Sequence, residues 1–140
     1  MLNLLATAAL AGAASLSLIQ MGFVDVGEKP TDSLAATKQL MAGRLRDPQS
    51  AQYQVGELKP ARCKGGLLSG NVAWEGWAAN VAINGKNAYG AYTGYQPYTV
   101  LFSGDRAVNV VEGLDFGVYG PAKGLLGLGG GAGVCKYLRQ

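Results

Sequence analysis

Hydrophobic and polar positions divide the chain into an uncharged run, a helical stretch and a long alternating stretch. The uncharged run covers residues 2–24. It reaches the length of about 20 residues that a membrane-spanning helix needs. It also fits a secretory signal peptide, because Ala11-Gly12-Ala13 supplies a small-x-small cleavage pattern. We therefore expect a signal peptide or a membrane anchor over residues 1–24, and the third interpretation is a buried helix of a soluble protein.

A polar junction over residues 25–30 leads into the helical stretch. Thr31 or Asp32 can cap a helix whose body reads SLAATKQLMAGRLR. The positions that share one side of this helix are Leu34, Thr37, Met41 and Leu45. The helix is predicted to end at Asp47-Pro48, because a residue before proline is displaced from the α region.

Alternation of hydrophobic and polar residues predicts strands from Tyr53 onward. The candidates are residues 53–55, 72–83, 98–102, 107–111 and 114–118. The face of the second candidate changes at Glu75-Gly76, which predicts a β-bulge or a strand break there. Asn84-Gly85 is a strong hairpin signal and predicts that this strand turns back at that point.

The resulting fold class is α+β. We predict one N-terminal amphipathic helix packed on a small antiparallel sheet of about five strands, preceded by the hydrophobic segment. The folded domain spans residues 31–119. Residues 120–140 form a glycine-rich tail whose last part, VCKYLRQ, is a possible edge strand.

Composition and charge exclude several functions. Hydrophobic residues make up 49% of the chain and charged residues 15%, which excludes a disordered chain. The net charge of +3 is spread without a basic run, so no nucleic-acid partner is expected. The chain has no histidine, which removes histidine-based triads and metal sites. We therefore predict no catalytic, cofactor-binding or metal-binding residue and no enzymatic activity.

The two cysteines, Cys63 and Cys135, are predicted to form a disulfide bond. An exported domain meets an oxidising compartment, and an even cysteine count without metal-ligand spacing favours one bridge. The alternative is two buried free thiols.

The most distinctive stretch carries tyrosines at every third position, from Tyr89 through Tyr92 and Tyr95 to Tyr98. Gly90, Gly94 and Pro97 indicate a shaped loop that leads into a strand at Tyr98. Rigid amphipathic rings beside small residues are typical of binding surfaces. Tyr89, Tyr92 and Tyr95 are therefore the predicted partner-binding residues, and the alternative is that they cover a sheet edge.

Two stretches carry a resemblance to a group of small exported or prophage-encoded bacterial proteins. Residues 45–53 read LRDPQSAQY and match the pattern L-[KR]-D-P-x-S-A-x-[FY]. Residues 81–95 read VAINGKNAYGAYTGY and resemble V-N-x-K-N-x-[FYM]-G-G-[YF]-T-G-[FY], with an inserted Ile-Asn-Gly section and with Ala91 where glycine is usual. The resemblance covers residues 38–102 at most. It implies an envelope or phage setting and transfers no catalytic residue.

These observations lead to one functional hypothesis and two alternatives. The first is a non-enzymatic interaction or structural module of the bacterial envelope or of a phage particle. Its partner is a protein or an assembly neighbour, and residues 2–24 contact the membrane if they are not cleaved. The runner-up is an exported inhibitor or binder of an envelope enzyme or a glycan. The third is a hydrolase, which needs two of the scattered carboxylates to meet across the sheet.

Overall fold

The structure, a computed structural model, describes residues 25–65, 73–120 and 133–139. These residues form an α+β domain with one α-helix and an antiparallel sheet of six strands. The helix is α1 (Ser33–Met41), and the strands are β1 (Gln52–Val55), β2 (Lys59–Cys63), β3 (Trp74–Lys86), β4 (Tyr92–Ser103), β5 (Arg106–Glu112) and β6 (Cys135–Tyr137). Short 3-10 helices cover Pro48–Ser50 and Gly117–Tyr119.

Two of the sequence predictions fall on residues outside these ranges. They are the signal peptide or anchor over residues 1–24 and most of the glycine-rich tail. In the described part of the chain, no helix has the length and apolar character needed to span a membrane.

The central strand of the sheet is β3, which is thirteen residues long. The strand order is β5-β4-β3-β2-β6, and β1 also pairs with β3. One half of β3 pairs with β2, and the other half pairs with β1 on that same side. All these pairings are antiparallel. Strand β3 pairs directly with β1, β2 and β4, while β6 pairs with β2 and β5 pairs with β4.

Helix α1 begins at a side-chain cap, since the Asp32 carboxylate accepts a hydrogen bond of 2.9 Å from the Ala35 backbone N–H. The helix ends at Met41, five residues before the predicted end at Arg46. Ala42 is the C-terminal cap and Gly43 follows it, and glycine has a low helix propensity. Asp47-Pro48 therefore does not end α1 but begins the 3-10 helix Pro48–Ser50.

The predicted apolar stripe of α1 is wrong at Leu34, which is exposed. The residues that α1 buries are Ala36, Thr37 and Met41. They pack on one side of the sheet, the first face, whose core residues in β3 are Ala79, Val81 and Ile83 and in β4 are Val100 and Phe102. Tyr98, Val100 and Phe102 share this face, as their alternation predicts.

The opposite side of the sheet, which we call the second face, is also covered by other residues over about half of its length. Ala78 of β3 packs there with Phe116 and with both cysteines. Because both faces of β3 are buried, hydrophobic residues occupy both parities of the strand. The change of face at Glu75-Gly76 is therefore not a bulge, and the β2–β3 register runs unbroken through Gly76. A side chain at Gly76 would clash with the Phe102 carbonyl, which accounts for the glycine.

Strand β2 was not predicted from the sequence. Its sequence, KPARC, has no alternation, and a proline within a run argues against a strand. Pro60 nevertheless pairs with Trp77, and its carbonyl accepts a hydrogen bond of 2.8 Å from the Leu138 N–H. The proline is tolerated because β2 needs only a carbonyl at this position.

Two local predictions are wrong. Asn84-Gly85 is not a turn, because β3 continues to Lys86. Residues 114–118 are not a strand, because the backbone there turns sharply. Asp115 has φ of 48° and Phe116 has φ of 68°, both in the left-handed region that ends strand pairing. Residues 113–119, the covering loop, instead lie across the second face and place Phe116 in its core.

Candidate functional site

The predicted tyrosine stretch forms the tip and one strand of the β3–β4 hairpin. The Asn87 side-chain oxygen accepts hydrogen bonds from the N–H groups of Tyr89 (2.9 Å) and Ala91 (3.1 Å). Gly90 has φ of 78°, which glycine adopts without strain. The turn is therefore fixed by its own side chain, and it leaves Tyr89 94% exposed at the tip.

A β-bulge follows the turn and sets the direction of the next two tyrosines. Asn84 pairs with Tyr95 and Lys86 pairs with Tyr92, so two steps along β3 match three steps along β4. Gly94 has φ of 95°, and its N–H donates to the Asn84 side-chain oxygen at 3.0 Å. Since residues two apart on β3 share a face, Tyr92 and Tyr95 also share one. The prediction of a loop that leads into a strand at Tyr98 is thus wrong, because β4 begins at Tyr92.

The ring of Tyr92 is held in place from two sides. Its hydroxyl donates to the Ser50 carbonyl at 2.8 Å, and the Lys86 ammonium lies 5.2 Å from the ring centroid. Despite these contacts Tyr92 is 44% exposed, and Tyr95 is 46% exposed. These two rings are therefore partly open to solvent, and at least the first has little freedom to move.

The two stretches over residues 45–53 and 81–95 meet in space. Tyr92 of the second stretch bonds to Ser50 of the first, and Asn84 donates to the Gln52 side-chain oxygen at 3.0 Å. The glycines and asparagines of the second stretch shape the bulge and the turn. Tyr89, Tyr92 and Tyr95 are the large side chains of this stretch that remain exposed.

A partly buried polar cluster lies beside this surface, where the covering loop meets the sheet. One Asp115 carboxylate oxygen accepts hydrogen bonds from the Asn80 side chain (3.0 Å) and from the Tyr137 hydroxyl (2.9 Å). Thr99 donates to the Gly113 carbonyl at 2.7 Å and accepts from the Phe116 N–H at 2.9 Å. These contacts fasten the loop to the sheet. The cluster was not predicted from the sequence, because its members come from separate elements with no shared spacing.

The environment of Tyr137 raises its pKa. Burial is the main cause, and the hydrogen bond to Asp115 and the charge of that carboxylate add to it. All three favour the neutral phenol. A group whose pKa is higher in the folded state contributes stability below its unfolded pKa, about 10 for tyrosine, and loses it as the pH rises further.

We expect Tyr137→Phe to lower the free energy of unfolding at neutral pH by about 1–2 kcal/mol, because the partly buried Asp115 carboxylate loses a hydrogen-bond donor. Above pH ~10 the difference between the two proteins should shrink, since only wild type has this phenol to ionise. Denaturant unfolding at neutral and alkaline pH measures both quantities. A constant difference across this range would show that the phenol does not contribute to the pH dependence.

The predicted disulfide bond between Cys63 and Cys135 is confirmed, with an S–S distance of 2.07 Å. The two cysteines lie opposite each other on β2 and β6, and both are buried under the covering loop. The bridge thus joins the edge strand β6 to the sheet. Among the described residues there is no group of three or more cysteine or acidic side chains that could hold a metal ion.

The fold and site together describe a small disulfide-bonded α+β domain with an exposed tyrosine-bearing hairpin. No family model, curated protein or solved structure matches the chain. The functional argument therefore depends on the geometry of the hairpin and of the sheet beside it.

Proposed function

We propose that this chain is a non-enzymatic interaction module of the bacterial envelope or of a phage particle, and that it binds a protein partner through Tyr89, Tyr92 and Tyr95. The observation that carries the proposal is Tyr89. Its side chain is almost fully exposed, although the turn beneath it is fixed by two hydrogen bonds to Asn87. A large ring held in water on a rigid support is available for burial against a partner.

The energetics of association support this use of the hairpin. Binding costs free energy for every side chain and loop that becomes ordered. The turn, the bulge and the Tyr92 ring are already ordered by contacts to Asn87, Asn84 and Ser50. Tyrosine is also one of the residue types that supply most of the free energy at protein interfaces.

Two further features support the proposed setting. A buried disulfide fits a protein that folds in an oxidising compartment, such as the bacterial periplasm. The uncharged residues 2–24 fit export or membrane attachment.

We expect Tyr89→Ala to weaken association with the partner by at least tenfold, which corresponds to about 1.4 kcal/mol, while the melting temperature stays unchanged. A photo-crosslinking residue at position 89, introduced in the native host, would first capture the partner for purification. Binding of the wild-type and variant chains to that protein would then be compared. Equal affinities would overturn the proposal.

Two controls separate contact from folding. Position 108 carries an exposed valine on β5, and a crosslinker there should not capture the same protein. Tyr98→Ala should lower the melting temperature, because Tyr98 packs against the first-face core. If Tyr95→Ala behaves like Tyr98→Ala, then Tyr95 has a structural role and does not belong to the contact surface.

A further inference from the structure

The second face continues beyond the covering loop as a bare patch across β1, β3 and β4. The pairings place three rows of side chains side by side on it. The rows are Gln54, Ala82 and Pro97; Gln52, Asn84 and Tyr95; and Lys86 with Tyr92. They share the face of Ala78, because positions of β3 two apart point the same way. We call this surface the amide face.

The side chains of the amide face are suited to hydrogen bonding with hydroxyl groups. Carboxamides donate and accept hydrogen bonds at the same time, as sugar hydroxyls do. The Gln52 amide is oriented by its bond to Asn84, and Asn84 is fixed in turn by the Gly94 N–H. The ring of Tyr95 stands beside them and offers a flat surface on which the C–H groups of a sugar ring can stack. The rows contain no carboxylate, and their one charged residue is Lys86.

The amide face by itself, without the tip of the hairpin at Tyr89, is smaller than a protein–protein interface and has the size of a small-ligand site. Three strands across and about four residues along give an area on the order of 200 Å². A stable protein–protein interface buries about 800 Å² on each partner. A shallow, largely open depression at the foot of the face, lined by Gln54, Asn80, Ala82 and Leu114 among others, adjoins it.

We propose that the amide face binds an oligosaccharide, with Tyr95 stacking on a sugar ring and with Gln52 and Gln54 bonding its hydroxyl or acetamido groups. This goes beyond the proposed protein contact. Tyr89 belongs only to that contact, whereas Gln52 and Gln54 belong only to the saccharide site. The failure of one proposal is therefore distinguishable from the failure of the other.

The test is a nuclear magnetic resonance titration of the isotope-labelled 140-residue chain, kept in a detergent without a sugar headgroup. The probes are the tetramer of N-acetylglucosamine and the tetramer of glucose. We expect at least one to bind with a dissociation constant of about 1 mM or tighter and to shift the amide signals of Gln52, Gln54 and Tyr95. Binding of the first alone would show that the acetamido groups are recognised.

Matched variants decide whether these residues carry the binding. Tyr95→Ala and Gln54→Ala should each weaken it about tenfold, whereas Tyr89→Ala should leave it unchanged. The proposal is overturned if neither tetramer shifts these signals, or if the shifts map to another surface. A further outcome would also overturn it. In that outcome neither sugar binds, and the protein captured at position 89 shifts the amide signals of Gln52 and Gln54, which shows that the face belongs to the protein contact.

Discussion

Phe116→Ala should lower the free energy of unfolding by about 3–5 kcal/mol. Phe116 is 0% exposed, and its ring centroid lies 4.8 Å from that of Tyr137. The ring fills the core between the covering loop and the sheet. Its burial also stabilises a backbone with φ of 68°, a conformation that is costly for a residue with a Cβ atom. Denaturant unfolding measures the loss.

The neighbouring Val118 provides the control. It lies in the same loop but is 67% exposed, so Val118→Ala should change the free energy of unfolding by less than about 0.5 kcal/mol. If the two substitutions have similar effects, the covering loop does not pack on the second face as described.

Removing the disulfide bond should lower the free energy of unfolding by about 2–5 kcal/mol. The bond joins residues 72 positions apart, and constraining the unfolded chain over that length is worth about 4 kcal/mol in the chain-entropy model. Cys63→Ala combined with Cys135→Ala removes the bond without leaving a free thiol. Denaturant unfolding of this double variant against wild type gives the value.

The matched comparison is wild-type protein that has been unfolded and refolded in reductant, which should approach the stability of the double variant. Both should lose protection of the β6 amides against hydrogen exchange first, since β6 pairs through only three residues. A double variant as stable as wild type would show that the contacts of β6 and Tyr137 hold this edge without the bridge.

The fold class could be predicted from the sequence because a regular alternation of residue types marks a strand. Tyr98, Val100 and Phe102 alternate and pack together on the first face, although Thr99 and Leu101 between them are also buried. The same reasoning failed at Gly76, where β3 is buried on both sides and the alternation disappears. It failed again at Asp115 and Phe116, where hydrogen bonds to Asn80 and Thr99 hold a backbone that no local pattern indicates.

The sequence identifies the tyrosines as candidate contact residues, but their arrangement in space could not be predicted from it. A spacing of three residues predicts opposite faces in a regular strand. The bulge at Gly94 places Tyr92 and Tyr95 on one face, and it depends on Asn84 from the neighbouring strand. The amide face was missed for a similar reason, because Gln52 and Asn84 are adjacent only through strand pairing.

The same bulge also bears on solubility. Strand β5 pairs with β4 only from Tyr98 to Ser103, and the Gly113 N–H donates to the Pro97 carbonyl, so residues 92–96 have one paired side within the described part of the chain. An unpaired strand edge is a template for aggregation through edge-to-edge pairing. Gly94 distorts this edge, and Pro97 lacks an N–H to donate. The hairpin can therefore keep its tyrosines in solvent while its exposed edge is a poor partner for a second copy of itself.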